Sequence, residues 1–151
     1  MALTVAIALC AICLGSCSRM PVAAYSSFGD PANTWARVLP PNPYAETPYD
    51  GAVLVIMEPR ADRFSRRKGL SIQEFQSPTG SNGKVFIHYP KGIMEMRLVV
   101  YDVNKADSDM VFKWKVAQKG RVVQDMQVRI LPGPPVRVFV NAQEIDVALD
   151  Q

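Results

Sequence analysis

Cys10, Cys13 and Cys17 are the three cysteines of this 151-residue chain, and all of them fall within residues 1–17. The Cys10-x-x-Cys13 spacing is that of a redox or metal-binding pair, but Ala, Ile and Leu surround it and supply no base, cation or further ligand. His88 is the single histidine, so a nucleophilic triad or a histidine metal site would need converging partners that no nearby residue provides. It is expected on the polar face of a strand. The stretch DVNKADSD places Asp102, Asp107 and Asp109 beside Asn104, and oxygen ligands of that kind suit a hard cation such as Ca²⁺. It lacks the Gly and terminal Glu of an EF-hand loop, and Asp and Asn are also what turns use to hydrogen-bond their own backbone. Arg60, Arg63, Arg66, Arg67 and Lys68, set against the one carboxylate of Asp62, form a basic run suited to phosphate groups, anionic glycans or an acidic protein surface. No Gly-rich phosphate loop, Gly-x-Ser-x-Gly elbow, His-Glu-x-x-His helix or paired catalytic carboxylates occur. The expectation is a protein that is not an enzyme and needs no cofactor.

Residues 1–17 carry no charged side chain, so the formal net charge of +3 belongs to residues 18–151. The apolar run from Ala2 to Leu14 is too short for a helix that must cross a hydrocarbon core of ~30 Å with ~20 residues. It has the length of a secretory leader. Leu14-Gly15-Ser16-Cys17 resembles the lipobox of bacterial lipoproteins: an aliphatic residue, two small ones, then cysteine. The resemblance implies that diacylglycerol is thioether-linked to Cys17, that residues 1–16 are cut away as a signal peptide, and that Cys17 becomes an acylated N-terminus. Ser18 in the next position resembles the signal that sorts such proteins to the outer membrane. The family usually has Lys or Arg before the apolar run, where Met1-Ala2-Leu3-Thr4 offers only the α-amino group. On this reading Cys10 and Cys13 leave with the leader and Cys17 is consumed by lipid, so the mature domain meets an oxidising periplasm with no thiol to mispair.

The elements that must carry these residues change character near residue 50. Residues 17–50 hold Pro21, Pro31, Pro40, Pro41, Pro43 and Pro48 without apolar alternation, which predicts a semi-rigid tether. Within it, Asp30 as a cap, Pro31 at a first helical position and Pro40 as a stop predict one short helix near 31–39, with Trp35 on its docking face. Tyr44 and Tyr49 follow in extended chain, either lying on the domain or offered to a partner.

Residues 51–151 alternate with period two. GAVLVIMEP, KVFIHYP, IMEMRLVVYDV, MVFKWKVAQ, RVVQDMQVRIL, PVRVFVN and EIDVAL read as strands bounded by Gly, Pro, Asn and Asp. LSIQEF reads as a further short strand. Ala61 to Lys68 has the length of about two helical turns, closed by Gly69. Gln118-Lys119-Gly120 and Asn141-Ala142-Gln143 predict tight loops, and Leu131 to Pro135 predicts a corner where the chain changes sheets. The expected fold is all-β, an antiparallel two-sheet sandwich of immunoglobulin-like or transthyretin-like architecture. Val99, Tyr101, Val111, Val123 and Phe139 lie opposite the main apolar stripes and require cover from the tether or from another protein.

Together these readings predict a lipid-anchored outer-membrane protein whose sandwich binds other envelope proteins in the periplasm, as a structural part of a multi-protein assembly. In architecture only, it resembles the outer-membrane lipoproteins of bacterial secretion machines. The membrane, reached through Cys17, and envelope proteins are the expected partners, and export removes nucleic acid. Arg60, Arg63, Arg66, Arg67, Lys68, Trp35, Tyr44 and Tyr49 are the candidate contact residues. The alternative is an anchored ligand-binding module, for glycan or calcium, built from the SPTGSNG and DVNKADSD loops.

Overall fold

Where β-branched and aromatic residues recur at every second position, one face of an extended chain becomes apolar and must be buried. A computed structural model describes residues 28–41, 49–59, 69–80 and 82–149, and there the chain follows this pattern into ten strands. They are β1 (Thr34–Leu39), β2 (Ala52–Met57), β3 (Leu70–Gln76), β4 (Asn82–His88), β5 (Glu95–Tyr101), β6 (Met110–Gln118), β7 (Arg121–Leu131), β8 (Arg137–Val140), β9 (Gln143–Ile145) and β10 (Val147–Leu149). One sheet has the order β10-β1-β2-β5-β4 and the other β3-β6-β7-β8-β9. Every pairing is antiparallel except β1 with β10. The protein is an all-β two-sheet sandwich.

The core lies between the sheets. Val53, Val55, Met57, Met96, Leu98 and Val100 of the first sheet meet Phe112, Trp114, Val116, Met126, Val128, Ile130, Val138 and Val140 of the second, all buried. Each such side chain contributes about 1.5–3 kcal/mol on burial, which is what holds two otherwise separate sheets together. Trp114 also donates its indole N–H to the Met96 sulfur across the interface at 2.9 Å. Gly83 admits the Phe112 ring beneath β4, because a Cβ at that position would overlap Phe112 Cε1.

Both tight loops form as their residues predict. Lys119 (φ 49°) with Gly120 (φ 76°), and Asn141 (φ 49°) with Ala142 (φ 68°), put two successive residues at positive φ, the geometry whose twist matches a two-residue hairpin. Asn141 adds a side-chain bond, its Oδ1 accepting from Gln127 N at 3.1 Å.

Five expectations change. Asp30 does cap, its Oδ1 accepting from Ala32 N at 3.1 Å with Pro31 in the first position, but the result is a single 3-10 turn at Pro31–Asn33. From Thr34 the chain is strand, not helix, because β1 pairs with β2 along its whole length and its inner face, Thr34 and Ala36, is buried. Sheet pairing outweighs the local helix signal. The sandwich therefore begins well before residue 51, the expected tether boundary, and Phe28 is already 1% exposed in the core.

The Leu131–Pro135 corner does not change sheets, since β7 and β8 pair directly. The change comes at Asp146, which splits the EIDVAL run into β9 in one sheet and β10 in the other. In β7 a register shift opposite Val116 and Ala117 turns Val123 onto the core and leaves Val122 46% exposed, the reverse of strict alternation. A bulge inserts one residue and flips the residues beyond it. A second shift in β3, at Glu74 (φ 51°), turns Phe75 onto Phe112 and Trp114, each with ring centroids 6.2 Å away. Cys17, Tyr44 and the Ala61–Lys68 segment lie outside the described residues.

Candidate functional site

The two sheets turn unlike faces outward. On the second sheet, Lys113, Asp125, Gln127, Arg129, Arg137 and Glu144 are exposed, and ion pairs run between neighbouring strands. Lys115 meets Glu74 at 2.5 Å, Arg129 Nε meets Asp109 at 2.9 Å, and Arg137 forms a fork on Glu144 at 2.6 and 2.8 Å. The Arg137 hydrogen bond holds Glu144 below the usual carboxylate value and raises Arg137 itself. The Glu74 hydrogen bond likewise raises Lys115. Arg137 lies over the Phe139 ring at 5.1 Å, so an apolar residue of this face is covered from within the sheet. This is a solvated surface.

The outer face of the first sheet is built differently. Register places Trp35, Ile56, Arg97 and Phe86 in one row across β1, β2, β5 and β4, and Arg37, Leu54, Val99 and Lys84 in the next. Ile56 is buried, while Trp35 and Phe86 at the two ends of its row remain 38% and 40% exposed. Arg37 sits over the Trp35 ring at 5.3 Å. Glu95, 5% exposed on the same face, is held by Arg97. A buried carboxylate needs such a partner. Exposed His88 stands opposite Glu95 and edge-on to Phe86, with ring centroids 6.4 Å apart.

Tyr49 covers the other end of this face. Its ring packs on Tyr101 at 5.0 Å and its hydroxyl donates to the Pro40 carbonyl at 2.9 Å. The tether therefore lies on the domain at this point, and of the candidate contact residues the structure places Trp35 and Tyr49 on one face. Arg60, Arg63, Arg66, Arg67, Lys68 and Tyr44 are outside the described residues. Phe86 and Arg97 belong to this face but read in the sequence only as members of a polar stripe. The unbroken apolar run of β2 was the available signal, because a strand apolar on both sides needs cover on both.

The two ends of the sandwich also differ. At one end lie Pro59, Gly69, the β4–β5 connection and the β6–β7 turn. At the far end the described part of the SPTGSNG loop meets the DVNKADSD loop, and Pro78–Gly80 with Tyr101, Asp102 and Lys105–Met110 line a cavity of about 420 Å³. The Asp102 carboxylate there is engaged: it accepts from Asp50 N at 2.9 Å and Asn82 Nδ2 at 3.4 Å and faces Lys105 at 3.8 Å. Asp109 is paired with Arg129. Among the described residues no three His, Cys, Asp or Glu side chains converge as a metal centre requires, and the Asp102 carboxylate ties its turn to Asp50. Their backbones join as well, through Val103 N to Gly51 O at 3.1 Å.

The chain matches no protein-family model, no curated protein and no solved structure. Fold and surface together define its class: a two-sheet β-sandwich with one charged, solvated outer face and one outer face bearing exposed aromatic residues.

Proposed function

We propose that this chain is an outer-membrane lipoprotein whose non-enzymatic β-sandwich binds other envelope proteins from the periplasmic side, as a structural component of a multi-protein assembly such as a secretion machine. The observation that carries the reading is the asymmetry of the outer faces. Trp35 and Phe86 share the outer face of the first sheet, whereas Phe75, the exposed aromatic of the second, packs on Phe112 and Trp114; grouped apolar exposure marks an interaction surface and singly scattered residues need no explanation. Trp35 and Phe86 flank buried Ile56 in a single row, and aromatic and Arg anchors of this type dominate protein interfaces. Lipid on Cys17 supplies the other half of the mechanism. It confines the sandwich to one linker length from the membrane and makes partner contact nearly intramolecular.

Cys17→Ser tests this directly. A photo-crosslinking residue placed at Phe86 is expected to form an adduct with a membrane-associated protein when Cys17 is intact. In the Cys17→Ser chain the adduct should fall by about 10²–10⁴-fold, the usual worth of tethering, with the thermal melt of the domain unchanged. An equal adduct yield from soluble Cys17→Ser protein would rule the mechanism out.

The far-end cavity favours a second reading, a lipid-anchored module for a glycan. Pro78–Gly80 with Tyr101, Asp102 and Lys105–Met110 supply an aromatic ring, hydroxyls and carboxylates around one opening.

A further inference from the structure

We infer that the sandwich seats one end on an anionic lipid surface, through Tyr89, Lys91 and Ile93 of the β4–β5 connection and Lys119, Arg121 and Val122 of the β6–β7 hairpin. The inference rests on the lipid-anchor reading, because an anchor at Cys17 holds the sandwich at the membrane. Fully extended, the chain from Cys17 to Phe28 spans at most about 40 Å. Phe28 is fixed beside the middle of β7, its carbonyl accepting from Gln124 Nε2 at 2.6 Å and from Asn141 Nδ2 at 3.4 Å, and the β6–β7 tip lies only a few residues along that strand, well within this reach.

Both loops reach this end by topology. His88 pairs with Glu95 at the close of the β4–β5 ladder, and Gln118 pairs with Arg121 at the close of the β6–β7 ladder. The β4–β5 tip is a 3-10 turn at Pro90–Gly92 with Lys91 at φ 50° and Gly92 at φ 79°. It leaves Tyr89 42% and Ile93 55% exposed. On the second tip the bulge that turns Val123 inward leaves Val122 46% exposed beside Arg121. The exposed apolar side chains of this end thus sit on two separate hairpin tips, each beside basic groups. Tyrosine and aliphatic residues at the headgroup boundary with Lys and Arg reaching phosphate is the arrangement an interface favours.

Charge points the same way. Lys91, Lys119 and Arg121 have no carboxylate partner among the described residues, whereas Arg97, Lys105, Lys115, Arg129 and Arg137 each have one. The far end instead gathers Asp50, Asp102, Asp107 and Asp109, of which Asp102 and Asp109 are neutralised by Lys105 and Arg129. An anionic bilayer attracts the first end more than the second.

The test uses the native lipidated chain with an environment-sensitive fluorophore on Ile93→Cys or, separately, on Ser108→Cys at the far end. Each is reconstituted in phosphatidylcholine vesicles containing phosphatidylglycerol and a lipid-attached quencher. The probe at position 93 should be blue-shifted and quenched, and the probe at position 108 should be neither. Lys91→Glu, Lys119→Glu and Arg121→Glu should each lower the seated population by about five-fold at low salt. Protein found in the vesicle fraction but with both probes equally unquenched overturns the seating and leaves the anchor standing. Protein absent from the vesicle fraction overturns the anchor and the seating together.

Discussion

Phe28→Ala is expected to lower the unfolding free energy by about 3–5 kcal/mol, the cost of deleting a buried aromatic side chain. That is a large share of the ~5–15 kcal/mol available to a domain. Phe28 lies upstream of the first strand and in a stretch whose composition reads as tether, yet it is 1% exposed within the core. The backbone around it is specific too. Gly29 holds φ 86°, and a Cβ there would meet Asn141 Nδ2 at 2.5 Å. Urea denaturation of the purified chain measures the effect. An unchanged midpoint would mean that the segment before β1 rests on the domain without belonging to it.

Trp114→Ala should be as costly, again about 3–5 kcal/mol, for a different reason. Trp114 stands at the centre of β6, pairs with Met126 on the neighbouring strand and bonds the Met96 sulfur of the facing sheet. Removing the indole opens a cavity between the sheets and leaves Phe75, whose ring is tilted against it and stacked on Phe112, without half of its support. Trp114→Phe keeps most of the apolar volume and should cost clearly less. The ordering wild type, Trp114→Phe, Trp114→Ala in urea midpoints checks that the two sheets are joined through this ring. Equal midpoints for all three would contradict it.

Most of the strand framework was legible because period-two alternation and turn residues are local signals. Lys119-Gly120 and Asn141-Ala142 form their hairpins with the positive φ values such turns require. What was not legible depends on partners distant in sequence. Thr34–Leu39 carries a capped, Pro-started helix signal, and only its ladder with β2 and the burial of Ala36 make it a strand. Val122 and Val123 exchange faces because of a bulge set by β6. Asp146 ends β9 and sends the chain to the other sheet, which the alternation of EIDVAL, readable as one strand, does not announce.

The candidate surface divides in the same way. Trp35 and Tyr49 stand out by residue type, and both reach one outer face. Phe86 reads as part of a polar stripe until register sets it in the row of Ile56. The far-end loops were expected to meet, and they do line one cavity. Their carboxylates are already engaged, however: Asp102 with Asp50 N, Asn82 and Lys105, and Asp109 with Arg129. Side-chain pairing of that kind is invisible without the fold.

Intact-mass and peptide mass spectrometry of protein extracted from native membranes is the most direct measurement of the proposed role. The first residue detected should be Cys17, carrying a thioether-linked diacylglycerol and an acylated α-amino group. A free thiol at that position, or a chain still beginning at Met1, would contradict it.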